Sequence, residues 1–335
     1  MRSAATLALA VFGVALSAAP SLAVTRYVRA GGSIQTAVNA AANGDTIVCG
    51  PGIYHENVVV SARANIKLVA NDATIEAADT TAAAVRVVDS SGCRVTGFTV
   101  HGGAGGCVRA TRCSDVRIRG NRVSSSSTGS GVVAEACTSA QISANRCTDV
   151  GGDAVSVTSC PAVVVRDNVV RRCGATGIMV SSDAGAQGAV VATNRVTDCM
   201  ADGIDISGGT GGRCAGNVVG SCGHDGVSVS ADAEVVVRNR VRTCGHDCVS
   251  IVGDTCTVTH NTLSGAGDAG VHLEGSGNSC SRNSITGATG AAVSVGGSAN
   301  VLAGNVASAC GQLVDLGADA SATVLVRGGV RLRIL

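Results

Sequence analysis

Short segments of strict apolar–polar alternation return along this chain, among them GIDIS at 203–207, GVSVS at 226–230 and GVHLE at 270–274. A period of two is the signature of a strand with one face buried. The segments open on a small residue (Gly177, Gly203, Gly226, Cys248, Gly270, Ala292) nine positions after an Asn. That Asn recurs as Asn121, Asn145, Asn168, Asn194, Asn217, Asn239, Asn261, Asn283 and Asn305, at spacings of 24, 23, 26, 23, 22, 22, 22 and 22. A repeat in the low twenties built from strands signals a solenoid, whereas helical repeats need units of about 33 residues or more. Leu is too scarce for a leucine-rich repeat. The pattern predicts an all-β chain, a right-handed single-stranded parallel β-helix of about ten turns. With strands ~4.8 Å apart the rod would be roughly 45–50 Å long.

The Asn column predicts a buried ladder, each side chain bonding backbone and the Asn of the adjoining turn. Phe98 stands 23 residues before Asn121, so it is expected to close that column. An open solenoid end exposes strand edges and needs a cover. In GGSIQTAVNAAANGDTIVCGPGIYHENVVV, Ser33 can cap a short helix with Ile34, Val38 and Ala41 on one side, and Asn43-Gly44 ends it. Strands are expected at Thr46–Cys49 and Ile53–Val60, split by Gly50-Pro51-Gly52. The chain therefore divides into a leader over 1–23 and one β-helix domain over 24–335. Within that domain 24–60 form the cap and first strands, 85–316 the regular repeats and 317–335 the C-terminal strands.

The leader rests on Arg2, an apolar run from Ala4 to Leu16 and the small-x-small pattern Ser21-Leu22-Ala23, which sets the mature start at Val24. It implies a secreted or periplasmic protein. No later run approaches the ~20 apolar residues of a membrane span.

Composition adjusts this picture in two ways. Aromatic residues are 1% of the chain and Trp is absent, so the core must be built from Val, Ile, Ala and Cys, and a sugar site would lack the usual ring platforms. A net charge of +1 gives no basic excess for nucleic acid. Sixteen cysteines in an exported chain would ordinarily mean disulfides. Here Cys173, Cys199, Cys222, Cys244 and Cys310 share one column and Cys113, Cys137 and Cys160 another. Stacked free thiols and adjacent-turn disulfides both satisfy that spacing.

Candidate chemistry collects on four turns. Asp202 and Asp205, then His224 and Asp225, then His246 and Asp247, then Asp268, His272 and Glu274 form one polar strip, holding three of the six histidines. Carboxylates one turn apart would be ~5 Å from each other and two turns apart ~10 Å, which brackets the separations used by retaining and inverting glycosidases. Asp202, Asp225, Asp247, His224 and His246 are the catalytic candidates, and Asp205, Asp268, His272 and Glu274 the substrate-binding ones. Asp-Gly pairs are also ordinary turn formers, so CGHDGVSVS and CGHDCVSIV also read as one repeat copied into the next. A row of Arg122, Arg146, Arg195 and Arg240, each one residue after an Asn and flanked by Arg171 and Arg242, reads either as a solvated face or as a holder of acidic sugars.

The cap segment followed by the Asn ladder resembles the pectate-lyase-like right-handed parallel β-helix superfamily, over essentially all of 24–335. Its members include lyases, hydrolases, epimerases and non-enzymes. Met200-Ala201-Asp202, Gly203-Ile204-Asp205, Gly223-His224-Asp225 and Gly245-His246-Asp247 are locally similar to the Asn-Thr-Asp, Gly-Asp-Asp and Gly-His-Gly motifs of polygalacturonases. The resemblance implies that Asp202 and Asp225 match the two water-activating aspartates. His224 replaces the proton-donating Asp, His246 is one position off the family His, and no Lys follows Lys67 to supply the Arg-x-Lys clamp. The expectation is a monomeric exported protein that binds or processes a polysaccharide, uronate-containing polymers included, as a glycoside hydrolase or polysaccharide lyase if it is an enzyme. The alternatives are a non-catalytic scaffold for a cell-envelope partner and a periplasmic metal-handling β-helix protein. No cofactor is required, with Ca²⁺ or a transition metal as the option left open.

Overall fold

The computed structural model describes residues 22–125, 128–183, 188–321, 323–327 and 330–333; nearly all of the leader, 1–21, lies outside them. Every turn uses three strands. Arg117–Arg119 lies in sheet A, Arg122–Ser125 in sheet B and Val132–Glu135 in sheet C, and the chain returns to sheet A at Gln141–Ser143. Sheet A holds 15 strands and sheets B and C hold 12 each. Pairing is parallel up to a final antiparallel hairpin, Val324–Arg327 with Val330–Arg333. The rod therefore has about twelve turns, somewhat more than the Asn count implies. The surplus comes from residues before Asn121, where turns form without the Asn.

The alternating segments are the strands of sheet C. Their first apolar positions stack in register, Val155 on Ile178, Ile178 on Ile204, Ile204 on Val227 and Val227 on Val249, all buried. The small residue ahead of them has a steric cause. A Cβ on Gly203 would collide with Val219 and lie 2.6 Å from the Gly226 carbonyl oxygen.

The corner between sheets A and B is the Asn ladder. Asn145 Oδ1 accepts the backbone N–H of Asn121 at 3.0 Å and its side-chain N–H at 3.0 Å. The Asn121 amide also donates to the Val95 carbonyl at 3.0 Å. The pattern continues to Asn283 and Asn305. Phe98, buried at the head of the column, donates its N–H to Asn121 Oδ1 at 3.0 Å.

The cap is as the sequence suggests, with two changes: the helix stops at Asn39 with Ala40 as its C-cap, ahead of the expected Asn43-Gly44, and one expected strand is two. Helix Ile34–Asn39 is capped by Ser33, whose side chain accepts the Thr36 N–H, and Ile34 and Val38 are buried. Glu56 accepts the N–H groups of Ile34 and Gln35 at 2.6 and 3.1 Å. Gln35 then pairs with Val59, accepting its N–H at 2.6 Å and donating to its carbonyl at 3.1 Å. Val59 lies on the first strand of sheet C, so the helix satisfies an edge that no strand covers. The run Ile53–Val60 is not one strand. It bends at Glu56-Asn57 into Gly52–His55 of sheet B and Val58–Ser61 of sheet C. Alternation persists through the bend because both strands bury every second residue.

All sixteen cysteines are free thiols. Cys173, Cys199, Cys222 and Cys244 stack in register inside sheet B. Cys113, Cys137 and Cys160 do more than fill space. The Cys113 N–H donates to Cys137 Sγ at 3.3 Å and the Cys137 N–H to Cys160 Sγ at 3.1 Å, so this column satisfies buried backbone as the asparagines do. Burial pushes thiols such as Cys214 up to about 12, which keeps them protonated and inert.

Candidate functional site

The polar strip is the corner where sheet B turns into sheet C. Strand Arg195–Cys199 leads through Met200–Gly203 into Ile204–Thr210, and the next turns repeat the path. The aspartates here form a second ladder. Asp202 Oδ1 accepts the Asp225 N–H, Asp225 Oδ1 the Asp247 N–H and Asp247 Oδ1 the Ala269 N–H, each at 2.8 Å. Asp153 starts the same column by accepting the Thr176 N–H at 3.1 Å, and Thr176 interrupts it.

The residue before each ladder position makes a second column. The backbone bonds His224 N–H to Ala201 O at 3.3 Å, His246 N–H to His224 O at 3.2 Å and Asp268 N–H to His246 O at 3.1 Å set its order. Asp268 therefore belongs with the histidines, not with the ladder aspartates. His224 Nδ1 lies 2.9 Å from Asp202 Oδ1, and His246 Nδ1 lies 2.9 Å from Asp225 Oδ1. An ionised carboxylate only accepts, so each Nδ1 carries a proton. Each Asp thus holds one backbone N–H and one imidazole on a single oxygen. The two rings stack with centroids 5.1 Å apart and planes within 8°.

Their outer edges differ. Among the described residues His224 Nε2 has no polar partner, and the side chain is 60% exposed. His246 Nε2 lies 3.7 Å from Asp268 Oδ2. Burial lowers the His246 imidazole, but Asp225, Asp247 and Asp268 around it hold it above the usual histidine value. Asp247, 1% exposed, is raised by burial. Its Oδ2 is buried without a hydrogen-bond partner, although the ring Nδ1 of His246 is 3.2 Å away. That nitrogen's one proton already points to Asp225, which leaves Asp247 Oδ2 orphaned. Asp205 faces outward on sheet C between Met179 and Ser228. Burial, then the charges of Asp202, Asp153 and Asp225, push it up to about 6.

The catalytic candidates Asp202, His224, Asp225, His246 and Asp247 are thus contiguous, with Asp205 beside them and Asp268 against His246. His272 and Glu274 make a separate pair at 4.0 Å. His272 sits in the outward row of Asp205, beyond Ser228 and Ser250. Glu234 escapes a reading based on the strip. It is buried at the corner between sheets C and A, accepts the Gly212 N–H at 2.6 Å and is raised by burial. Its signal is a carboxylate directly before the VVV of Val235–Val237. A cleft lined by Arg63, Asp89, Ser90, Arg112 and Thr138 lies away from the strip. Arg112 and Asp89 already pair across it at 2.7 and 2.9 Å.

Among the described residues two groups have the donors for a cation: His224, Asp225 and His246, and His246, Asp247 and Asp268, with ligand atoms within 4.8 Å of one another. Imidazole nitrogen beside carboxylate suits a transition metal better than Ca²⁺, which takes oxygen alone.

Residues 83–241 match the family model of the right handed beta helix region. The fold is that of a right-handed parallel β-helix. No match is found among the curated proteins. Among solved structures it is similar to the A-module of the mannuronan C-5 epimerase AlgE4 of Azotobacter vinelandii, with TM-score 0.66, 16% identity, and 86% of this chain and 94% of that one covered. It is similar to PfbA, a surface adhesin of Streptococcus pneumoniae, with TM-score 0.61, 11% identity, and 90% and 94% covered. It is similar to an alginate lyase of Paenibacillus sp. str. FPU-7, with TM-score 0.55, 16% identity, and 89% and 99% covered. At these identities the likeness is one of fold. No helix among the described residues of this β-helix protein is long and apolar enough to cross a membrane.

Proposed function

We propose that this β-helix protein is exported and acts on an acidic, uronate-containing polysaccharide at the B–C corner, by proton transfer through His224 and His246. The observation that carries the reading is the stacked pair of imidazoles, each anchored at Nδ1 by the aspartate of the turn before. Such anchoring fixes ring orientation and tautomer and leaves Nε2 for the chemistry. His224 in its neutral form presents an unoccupied Nε2 lone pair to solvent, the arrangement of a general base. His246, held towards its cationic form, presents a proton within one ring spacing, the arrangement of a general acid. A uronate has an acidic C–H beside its carboxylate. Removal of that proton by His224 and delivery of the His246 proton to the departing glycosidic oxygen makes a carbon–carbon double bond and breaks the carbon–oxygen bond. This favours the lyase branch over the hydrolase branch. Asp202 and Asp225 are each engaged by two donors and act as positioning residues, not as activators of water. Similar folds whose names carry mannuronan epimerase and alginate lyase activities support a uronate polymer.

The test is incubation with polymannuronate, polygalacturonate and a neutral glucan, following the ultraviolet absorbance of an unsaturated uronate. Product should form on an acidic polymer and fall by ~10²-fold or more in His224→Ala. Full activity in that variant, or wild-type protein that forms no product on any acidic polymer, defeats the reading, and the second result leaves a scaffold.

The orphaned Asp247 Oδ2 beside His246 favours one second reading, a transition-metal site at the same corner. Zn²⁺ or Cu²⁺ in excess would then raise the melting temperature of wild type and not of His246→Ala.

A further inference from the structure

Sheet B carries an Arg row that the proposed reaction leaves unused. Sheet B presents its outward row as Arg122, Arg146, Val169, Arg195, Val218 and Arg240, in register on consecutive strands. The neighbouring outward row carries Thr148, Arg171, Thr197, Gly220 and Arg242. Neither stretch contains a carboxylate. Asp149 and Asp198 sit towards the strand ends, and Asp149 is already held by Arg172 at 2.6 and 2.8 Å. Off these rows Arg26, Arg109, Arg112, Arg117, Arg166 and Arg172 pair with carboxylates, whereas among the described residues others such as Arg86 and Arg213 do not. Among the described residues none of the six in these two rows does. Arg171 Nε is buried with no hydrogen-bond partner at all, an unmet donor within this face. In a chain with 25 basic and 24 acidic residues, what sets this face apart is six arginines in two adjoining rows that hold no carboxylate.

We infer that the outward face of sheet B holds an extended polyuronate chain lying along the axis of the rod, its carboxylates seated on Arg146, Arg195 and Arg240. These three recur on every second strand, about 10 Å apart for strands ~4.8 Å apart. An extended pyranose polymer whose units face alternate sides offers a carboxylate on one side at every second unit. Val169 and Val218 lie between the arginines and give its ring faces an apolar rest. The guanidinium fork matches a carboxylate in two parallel bonds. The inference rests on the proposed function only for the identity of the polymer. Strands of this face run directly into the B–C corner, so polymer held here stays close to the strip without occupying it.

The experiment measures binding of polymannuronate and polygalacturonate to the full chain by calorimetry at two salt concentrations. A neutral glucan, a sulfated glycan and single-stranded DNA serve as controls. The variants are Arg146→Gln/Arg195→Gln/Arg240→Gln, the corresponding triple Lys variant, and Arg213→Gln on sheet A. The Gln variant should lose at least about tenfold in affinity and much of its salt dependence, and the Lys variant, which keeps charge but not the fork, should fall in between. Arg213→Gln should bind as wild type does. Wild-type affinity in both triple variants overturns the inference, and so does equal binding of sulfated glycan or DNA, which would mean general polyanion attraction. Short uronate oligomers separate the two proposals. If the Gln variant still converts them while binding polymer as wild type does, the face fails and the active corner stands. If polymer binding depends on the arginines but no oligomer is converted, the face stands and the reaction fails.

Discussion

Two corners of the same rod solve one problem with different side chains. At the A–B corner an asparagine on each turn from Asn121 to Asn305 satisfies the backbone of its neighbour, and at the B–C corner aspartates do so on the turns from Asp202 to Ala269. An amide both donates and accepts, so stacked asparagines close on one another without charge. A carboxylate only accepts, and stacking it puts like charges next to each other out of water. The backbone alone gives no reason to prefer it. A third corner serves as the control. Asp232 accepts the Asp254 N–H at 2.9 Å and Asp254 the Ser276 N–H at 2.7 Å, with no histidine on either. Aspartate laddering is thus a habit of this fold. The imidazoles on Asp202 and Asp225 are what the B–C corner has in excess of it, and they are where the chemistry is to be sought.

The largest expected effect breaks the neutral corner. Asn194→Ala removes the acceptor for the backbone and side-chain N–H groups of Asn168 and the donor to Val165. Stability to urea should fall by roughly 3 kcal/mol or more, and a loss under ~1 kcal/mol would mean that water replaces the ladder.

The next comparison is within the charged corner. Asp225→Ala strands the buried Asp247 N–H and should cost about 1–3 kcal/mol. Asp225→Asn keeps the oxygen and should stay within ~1 kcal/mol of wild type. Both remove a charge from His246, whose titration by NMR should move down. If Asn proves as costly as Ala, the carboxylate charge, not its acceptor oxygen, holds the corner.

A smaller effect concerns pH. His246 is raised from the ordinary 6.5, so the folded state binds its proton more tightly. The stability this contributes is fully present below the ordinary value and is lost as pH rises through the raised one. Melting temperatures of wild type and His246→Gln should therefore converge on going from about pH 5 to about pH 9. A gap that is constant with pH would show that packing, not charge, sets it.

The smallest effect has the opposite sense in origin. Asp205 is raised from 3.8 to about 6, because ionisation is resisted beside three carboxylates in a half-buried row. Its charge opposes folding above that range and its neutral form does not. Asp205→Asn should raise the melting temperature slightly at neutral pH, and the gain should vanish below about pH 4. An unchanged melt at both pH values would show that water hydrates the charge fully.

Much of this molecule is determined by its sequence alone. A strand buries alternate residues, and a solenoid repeats that demand at one interval, so GIDIS, GVSVS and GVHLE together with the Asn column announce the rod, its strands and its buried ladder. Phe98 is legible because it obeys the same interval, and the helix at Ser33 because capping is local. The strip from Asp202 to Glu274 is legible as a cluster for the same reason: residues one interval apart become neighbours. Tertiary structure decided the rest. The bend at Glu56-Asn57 is invisible where alternation runs through it, and turns lacking the Asn escape a count of asparagines. Ring stacking, the double load on Asp202 and Asp225 and the orphaned oxygen of Asp247 depend on side-chain direction at a corner. Spacing sets which residues meet, but only backbone direction at each corner sets which atom of one meets which atom of the next.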